Sequence, residues 1–157
     1  MSGRVDSNAK RSEEYNLSPK PEGGAQMAKT KQFTIAVQNE PGVVAGIART
    51  LGDAKVNIVA LLGTVQGTGG TVQLVAENAG RAKKALDEAK ITYQETPAEE
   101  YELPNQPGAL ANYLDKLAAK GVSLNSIYAT APKGGKKAIV VYSIEAEAKA
   151  AKAASAR

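Results

Sequence analysis

The feature that most limits what this chain can fold into is an internal repeat. Asn39-Glu40-Pro41-Gly42-Val43-Val44-Ala45 returns as Asn105-Gln106-Pro107-Gly108-Ala109-Leu110-Ala111, and the residues that follow keep the same offset. Val44, Ile47, Ala48 and Leu51 correspond to Leu110, Tyr113, Leu114 and Leu117. Both sets fall at the i, i+3, i+4, i+7 spacing of a helix with one buried face. Further along, Val56-Asn57-Ile58 matches Val122-Ser123-Leu124, and Thr64 matches Thr130. An offset held through a helix and a strand marks one folded unit present twice, and two such units invite a site between them.

Within the first copy the pattern reads strand, helix, strand, strand, helix, strand. Phe33, Ile35 and Val37 alternate with polar or small residues, as a strand with one buried face does. The Pro41-Gly42 turn opens a helix over residues 43–53, and a strand over 56–64 leads through Gly67-Thr68-Gly69-Gly70 into a strand over 71–77. Asn78 is placed to cap a helix over 79–89, whose Ala82, Ala85, Leu86 and Ala89 share a face, and residues 91–96 form a fourth strand. The second copy has a strand around Tyr101 and Leu103, a helix over 109–120, strands over 122–130 and 138–144, and a Lys133-Gly134-Gly135-Lys136 hairpin. Residues 146–157 then form an Ala/Lys/Glu helix with almost no large apolar residue, and no fourth strand follows. The sequence-based expectation is an α+β, ferredoxin-like chain of two tandem βαββαβ units, the second lacking its last strand. One unit of about 65 residues has a marginal core, and the incomplete unit leaves a sheet edge that needs covering.

Composition removes much of enzyme chemistry. The 157 residues include no cysteine and no histidine, so disulfides, thiolate metal sites, Cys nucleophiles and His-based triads are excluded. The net charge of +4 is modest, and residues 1–31 carry about half of it, so charge gives no argument for nucleic acid. Lys133, Lys136 and Lys137 around the second hairpin lack aromatic interleaving and read as a solvated turn. The Gly67–Thr71 segment precedes a strand and lacks the lysine of a phosphate loop. No apolar run of about 18 residues is present to span a membrane, and no apolar stretch follows the charged N-terminus as in a secretory signal, which makes the expected location cytoplasmic.

Residues 1–31 are rich in Ser, Asn, Gly, Lys and Glu and have no apolar periodicity, which is the composition of a disordered extension. Met27 lies just before the first strand, so either translation begins there or the preceding residues are a genuine tail. The expected organisation is an extension over 1–31, a first domain over 32–98, and a second over 99–157 that includes the terminal helix.

The stretch Thr34-Ile35-Ala36-Val37-Gln38-Asn39-Glu40-Pro41-Gly42-Val43-Val44-Ala45, followed by Leu51 and Ala54-Lys55-Val56-Asn57-Ile58, resembles the ACT domain. The second copy is similar but has Ser123 where the motif often has Asn. The likeness covers residues 32–144 and is strongest to stand-alone tandem ACT proteins, which carry no catalytic domain. It implies binding of an amino acid between the strand-to-helix loop of one unit and the second strand of a neighbour. The loop positions are Asn39, Glu40, Pro41, Gly42, Val43 and Val44, and Asn105, Gln106, Pro107, Gly108, Ala109 and Leu110. The second-strand positions are Asn57 and Ile58, and Ser123, Leu124 and Asn125.

The chemistry of the loop is compatible with that role. Pro fixes φ at the start of the helix, Gly lets a ligand approach the backbone, and the first-turn N–H groups lack intrahelical partners and can receive a carboxylate. Carbonyl oxygens of Asn39, Glu40 or Asn57 are acceptors for an ammonium group, and the lack of a charged motif points to a neutral side chain. The plainer alternative is that Asn-x-Pro-Gly is a helix-opening turn and that Asn57 and Ser123 are polar strand residues. The functional expectation is a non-catalytic regulatory protein that needs no cofactor or metal, forms a homodimer, and acts on a partner enzyme of amino-acid metabolism. The alternative is a structural subunit that binds a partner protein without any small molecule. Asp53, Asp87 and Glu88 lie on helices without a repeated partner, which gives no paired groups for acid–base catalysis.

Overall fold

A computed structural model of the chain describes residues 27–156. In chain order these form β1 (Met27–Gln38), α1 (Val43–Asp53), β2 (Ile58–Gln66), β3 (Gly69–Ala76), α2 (Ala79–Glu88), β4 (Gln94–Pro104), α3 (Ala109–Ala119), β5 (Leu124–Thr130), β6 (Lys137–Ile144) and α4 (Glu145–Ser155). The α+β, two-repeat architecture expected from the sequence is the one observed, with no strand after α4 among the described residues. The expected extension over residues 1–26 lies outside the described residues. Residues 27–31 belong to β1 and pair with β4 from Met27 opposite Tyr101 onward. None of the described helices is long and apolar enough to cross a membrane.

All six strands form one antiparallel sheet in the order β2-β3-β1-β4-β6-β5. The two short strands expected around residues 91–96 and 101–103 are one continuous strand, β4. It serves as the fourth strand of the first repeat and the first strand of the second. The place beside β4 that the missing strand of the second repeat would fill is occupied by β1. The open edge expected there is therefore closed within the chain, and it gives no argument for a second copy. Among the described residues, β2 and β5 are the edge strands.

One face of the sheet carries the helices. Phe33, Ile35, Val72 and Leu74 pack under Ile47 and Leu51 of α1 and Ala82, Ala85 and Leu86 of α2. Tyr101, Leu103, Val140 and Tyr142 pack under Tyr113 and Leu117 of α3. Asn78 caps α2 by accepting the Arg81 N–H at 2.9 Å. Gly42 and Gly108 adopt φ of 90° and 84° at the starts of α1 and α3, which favours glycine at both.

The opposite face is covered by the sheet itself. Gln32 on β1 is 1% exposed, and its Oε1 accepts hydrogen bonds from Ser126 Oγ and Tyr128 OH of β5, each at 3.2 Å. Three strand spacings of about 4.8 Å separate β5 from β1 in a flat sheet, so these contacts require strong curling. Repeat-equivalent bulges, between Ile58 and Ala60 and between Leu124 and Ser126, bend the two edge strands. Val59 and Ala60 on one side and Tyr128 and Ile139 on the other then close over Val75, Ala98 and Val141.

Candidate functional site

The loops after β1 and β4 are built alike. The N–H of Asn39 bonds to the Thr68 carbonyl at 3.1 Å, and that of Asn105 to the Lys136 carbonyl at 2.9 Å, tying each loop to the hairpin beside it. Glu40 N–H bonds back to Gln38 O and Gln106 N–H to Pro104 O, both at 2.9 Å. Neither α1 nor α3 has a side-chain cap. The turn sets the helix direction by bonding the Val43 N–H to the Glu40 carbonyl and the Ala109 N–H to the Gln106 carbonyl, and the N–H groups of the next two residues of each helix are the ones without intrahelical partners. In the second copy Asn105 Nδ2 also donates to the Gly135 carbonyl at 2.8 Å.

Asn39, Glu40, Pro41, Gly42 and Val44 are exposed, as are Asn105, Gln106, Pro107, Gly108 and Leu110, with Val43 and Ala109 half-buried. The second loop borders two hollows. One, of about 220 Å³, brings Asn105, Gln106, Ala109 and Leu110 against Ala129, Thr130 and Ala131 at the far end of β5. The other, of about 270 Å³, sets Gln106 and Pro107 beside Tyr101, Tyr113 and Lys116. Residues 129–131 were not singled out from the sequence. The antiparallel hairpin implies their position, because it returns the end of β5 to the level of the loop.

The second-strand candidates lie elsewhere. Ile58 and Gln66 stand at opposite ends of β2, about 26 Å apart at the usual strand rise, and Gln66 is the end level with the first loop. Asn57 Nδ2 donates to Glu77 Oε2 at 2.8 Å, and its carbonyl accepts the Glu77 N–H. The Ser123 carbonyl accepts the Glu145 N–H in the equivalent place, while Leu124 and Asn125 flank the β5 bulge, with Asn125 Nδ2 donating to Ser143 Oγ at 3.3 Å. Since β1 and β4 run antiparallel, the two loops sit at opposite ends of the central strand pair. Loop and second-strand candidates of one repeat therefore do not converge within that repeat.

The exposed large apolar residues include two pairs related by the repeat. Val44 matches Leu110 at the start of α1 and α3, and Leu61 matches Ile127 on the edge strands, all between 36% and 42% exposed. Neither β2 nor β5 contains a charged residue or a proline, the usual protections of a free edge.

Burial, above all, raises the phenol of Tyr113 to about 12, with Glu99 adding to the shift and the Tyr142 hydroxyl opposing it. Tyr101 and Tyr113 stack with ring centroids 4.2 Å apart. The hydroxyls of Tyr113 and Tyr142 lie 2.8 Å apart, and Tyr142 OH donates to Glu99 Oε2 at 2.8 Å. This buried chain leads from the hollow beside Gln106 and Pro107 to the middle of the sheet.

The model of the ACT domain pair matches residues 29–154. Among solved structures, a protein of Bacteroides thetaiotaomicron is similar at 27% identity with a TM-score of 0.68, over 76% of this chain and 81% of that one. The regulatory subunit of aspartate kinase from Thermus thermophilus is similar in fold at 17% identity and a TM-score of 0.59, over 82% and 92% of the two chains. The corresponding subunit from Thermus flavus gives 19% identity and 0.56 over the same shares. No curated protein matches the chain.

Proposed function

The chain belongs to the ACT domain pair family, and from that premise we propose that it is a cytoplasmic, non-catalytic regulatory protein that senses an amino acid. The ligand sits where the strand-to-helix loop of one chain meets the edge strand of a second copy in a homodimer. The observation that carries this reading is the repeated exposure of Val44 with Leu110 and of Leu61 with Ile127, beside uncharged edge strands. A second copy laid along β2 or β5 buries those side chains and brings a second-strand start towards a loop that its own repeat cannot reach. The turn geometry then offers first-turn N–H groups to the ligand carboxylate and carbonyl oxygens to its ammonium group.

The regulatory subunits of aspartate kinase, similar in fold, support an output through a partner enzyme of amino-acid metabolism. Ligand-dependent packing of two units is a sufficient physical basis for such coupling, since both sites bias the same interface. The test is thermal unfolding of the chain against single amino acids. Ligand at about 100 times its dissociation constant adds about 2.7 kcal/mol to the folded state, which raises Tm by several degrees. No shift with any amino acid would overturn the ligand reading and leave a subunit that binds its partner without a small molecule.

A further inference from the structure

The repeat makes α4 the counterpart of α2, and the two helices seat differently. Ala82, Ala85 and Leu86 of α2 are all buried against the sheet. Their equivalents on α4, two positions further along because the second hairpin is two residues longer, are Ala150, Ala153 and Ala154, and no residue of α4 is buried. With alanine in place of the leucine, α4 has no large side chain to fill the space over β1 and β4, and a cleft of about 820 Å³ remains beneath it. This lies within the range of about 300–1,000 Å³ usual for small-molecule sites.

The cleft carries both signs of charge. Its floor holds Lys29 and Lys31 of β1 and Glu95 and Glu99 of β4, and its roof holds Glu147 above a wall of alanine methyls. Glu95 is engaged by Lys31 at 3.7 Å and Lys83 at 3.4 Å. Among the described residues, Lys29 and Glu147 make no ion pair. Glu99 is 4% exposed and gives Oε2 to Tyr142. The Glu99 side chain also lines the cleft. The carboxyl of Glu147 is held above its usual range by burial first and by Glu99 second, while Lys29 and Lys31 pull it down. A cation between the two carboxylates offsets the burial of Glu147 and screens it from Glu99.

The geometry points to a second small-molecule site beneath α4, distinct from the loop site, that takes an aliphatic amino acid as its zwitterion. The ammonium group lies between Glu99 and Glu147, the carboxylate is directed to Lys29, and the side chain lies against Ala151 and Ala154. The molecule would touch β1 of the first repeat and both β4 and α4 of the second, and so would bridge the two repeats.

The test uses the full chain, isotope-labelled, titrated with L-alanine, L-valine and L-leucine in turn and followed by backbone amide shifts. Saturable shifts at Lys29, Glu99 and Ala151 are expected with at least one of them. Isoamylamine and 4-methylpentanoate, each carrying one of leucine's two charges, are expected to bind at least tenfold more weakly. Ala151→Leu, which fills the cleft, and Glu147→Gln, which keeps its shape, are each expected to weaken the response at least tenfold with the other amides undisturbed. Cleft amides that do not move with any of the three, or an unaltered response in both variants, would overturn the site. Shifts confined to residues 105–110 would overturn it too while leaving the loop reading standing, and shifts confined to the cleft would do the reverse.

Discussion

Lys31 on β1 stands opposite Pro97 on β4, and the 66 positions between them are the offset that relates Pro41 to Pro107. The pair therefore marks a local two-fold axis between the repeats. Moving each partner of any β1–β4 pair by that offset, one forward and one back, yields another pair of the same register. Met27 opposite Tyr101, for example, maps onto Ile35 and Tyr93, one step beyond the observed pairing of Thr34 with Gln94. Each repeat completes the other's sheet with its own first strand.

A shared strand predicts that the repeats are not separable. Cutting between Ala98 and Glu99 divides β4 at two buried residues, between most of its pairing with β1 and all of its pairing with β6. Fragments 27–98 and 99–156 are expected to show no cooperative unfolding alone and to regain strand signal by circular dichroism when mixed. A cooperative transition in either isolated fragment would contradict the shared-strand account.

Tyr142→Phe removes the hydroxyl between Tyr113 and Glu99. A buried carboxylate then loses its donor, at a cost of about 1–3 kcal/mol. Chemical denaturation should show that loss, and an unchanged midpoint would mean that water replaces the hydroxyl.

The two copies end their first helix differently. Lys55 adopts φ of 59° where the second copy has Gly121 at 70°, and both residues precede the same return bond, from Val56 to Leu51 and from Val122 to Leu117. A left-handed lysine carries a steric penalty that glycine avoids, so Lys55→Gly should stabilise the fold by about 0.5–1 kcal/mol. Thermal unfolding checks the sign, and a lower Tm would contradict it.

Alkaline pH should unfold the protein through its tyrosines. Burial raises Tyr113 and Tyr128 from 10.0 to about 12 in the folded chain. A raised pKa means that the folded state keeps protons the unfolded chain releases, so the contribution of these two groups to stability is full below pH 10, falls above it, and is lost as the pH rises through about 12. Phenolate absorbance followed alongside circular dichroism should show these two ionising together with unfolding. Early ionisation of Tyr128 in the Tyr113→Phe variant, with the fold intact, would contradict the burial argument.

The helices were legible because their apolar spacing and their Pro-Gly and Asn caps are local. The merged strand was not. Thr96 ends the expected fourth strand and Ala98 and Glu99 fall between it and the next, yet all three are buried, and only pairing with β1 on one side and β6 on the other explains them. The same pairing draws the polar residues 27–31 into the sheet, where composition alone placed them in a tail. The loops of the candidate site were visible from Pro41-Gly42 and Pro107-Gly108, but the separation of Asn57 from its own loop depends on sheet register. For the cleft beneath α4 the sequence signal was the scarcity of large side chains on the last helix, which alone does not say what lies below it.

Sedimentation of the Leu61→Lys, Ile127→Lys double variant, with and without the amino acid that stabilises the unmodified chain, decides whether a second copy completes the ligand site. Both substitutions fall on exposed edge-strand positions, so the fold should survive. A dimer is expected for the unmodified chain, a monomer for the variant, and loss of the ligand-induced Tm shift together with the dimer, apart from any residual response at the cleft amides. A monomeric variant whose residues 105–110 still respond to the amino acid as in the unmodified chain would contradict a site completed by a second copy.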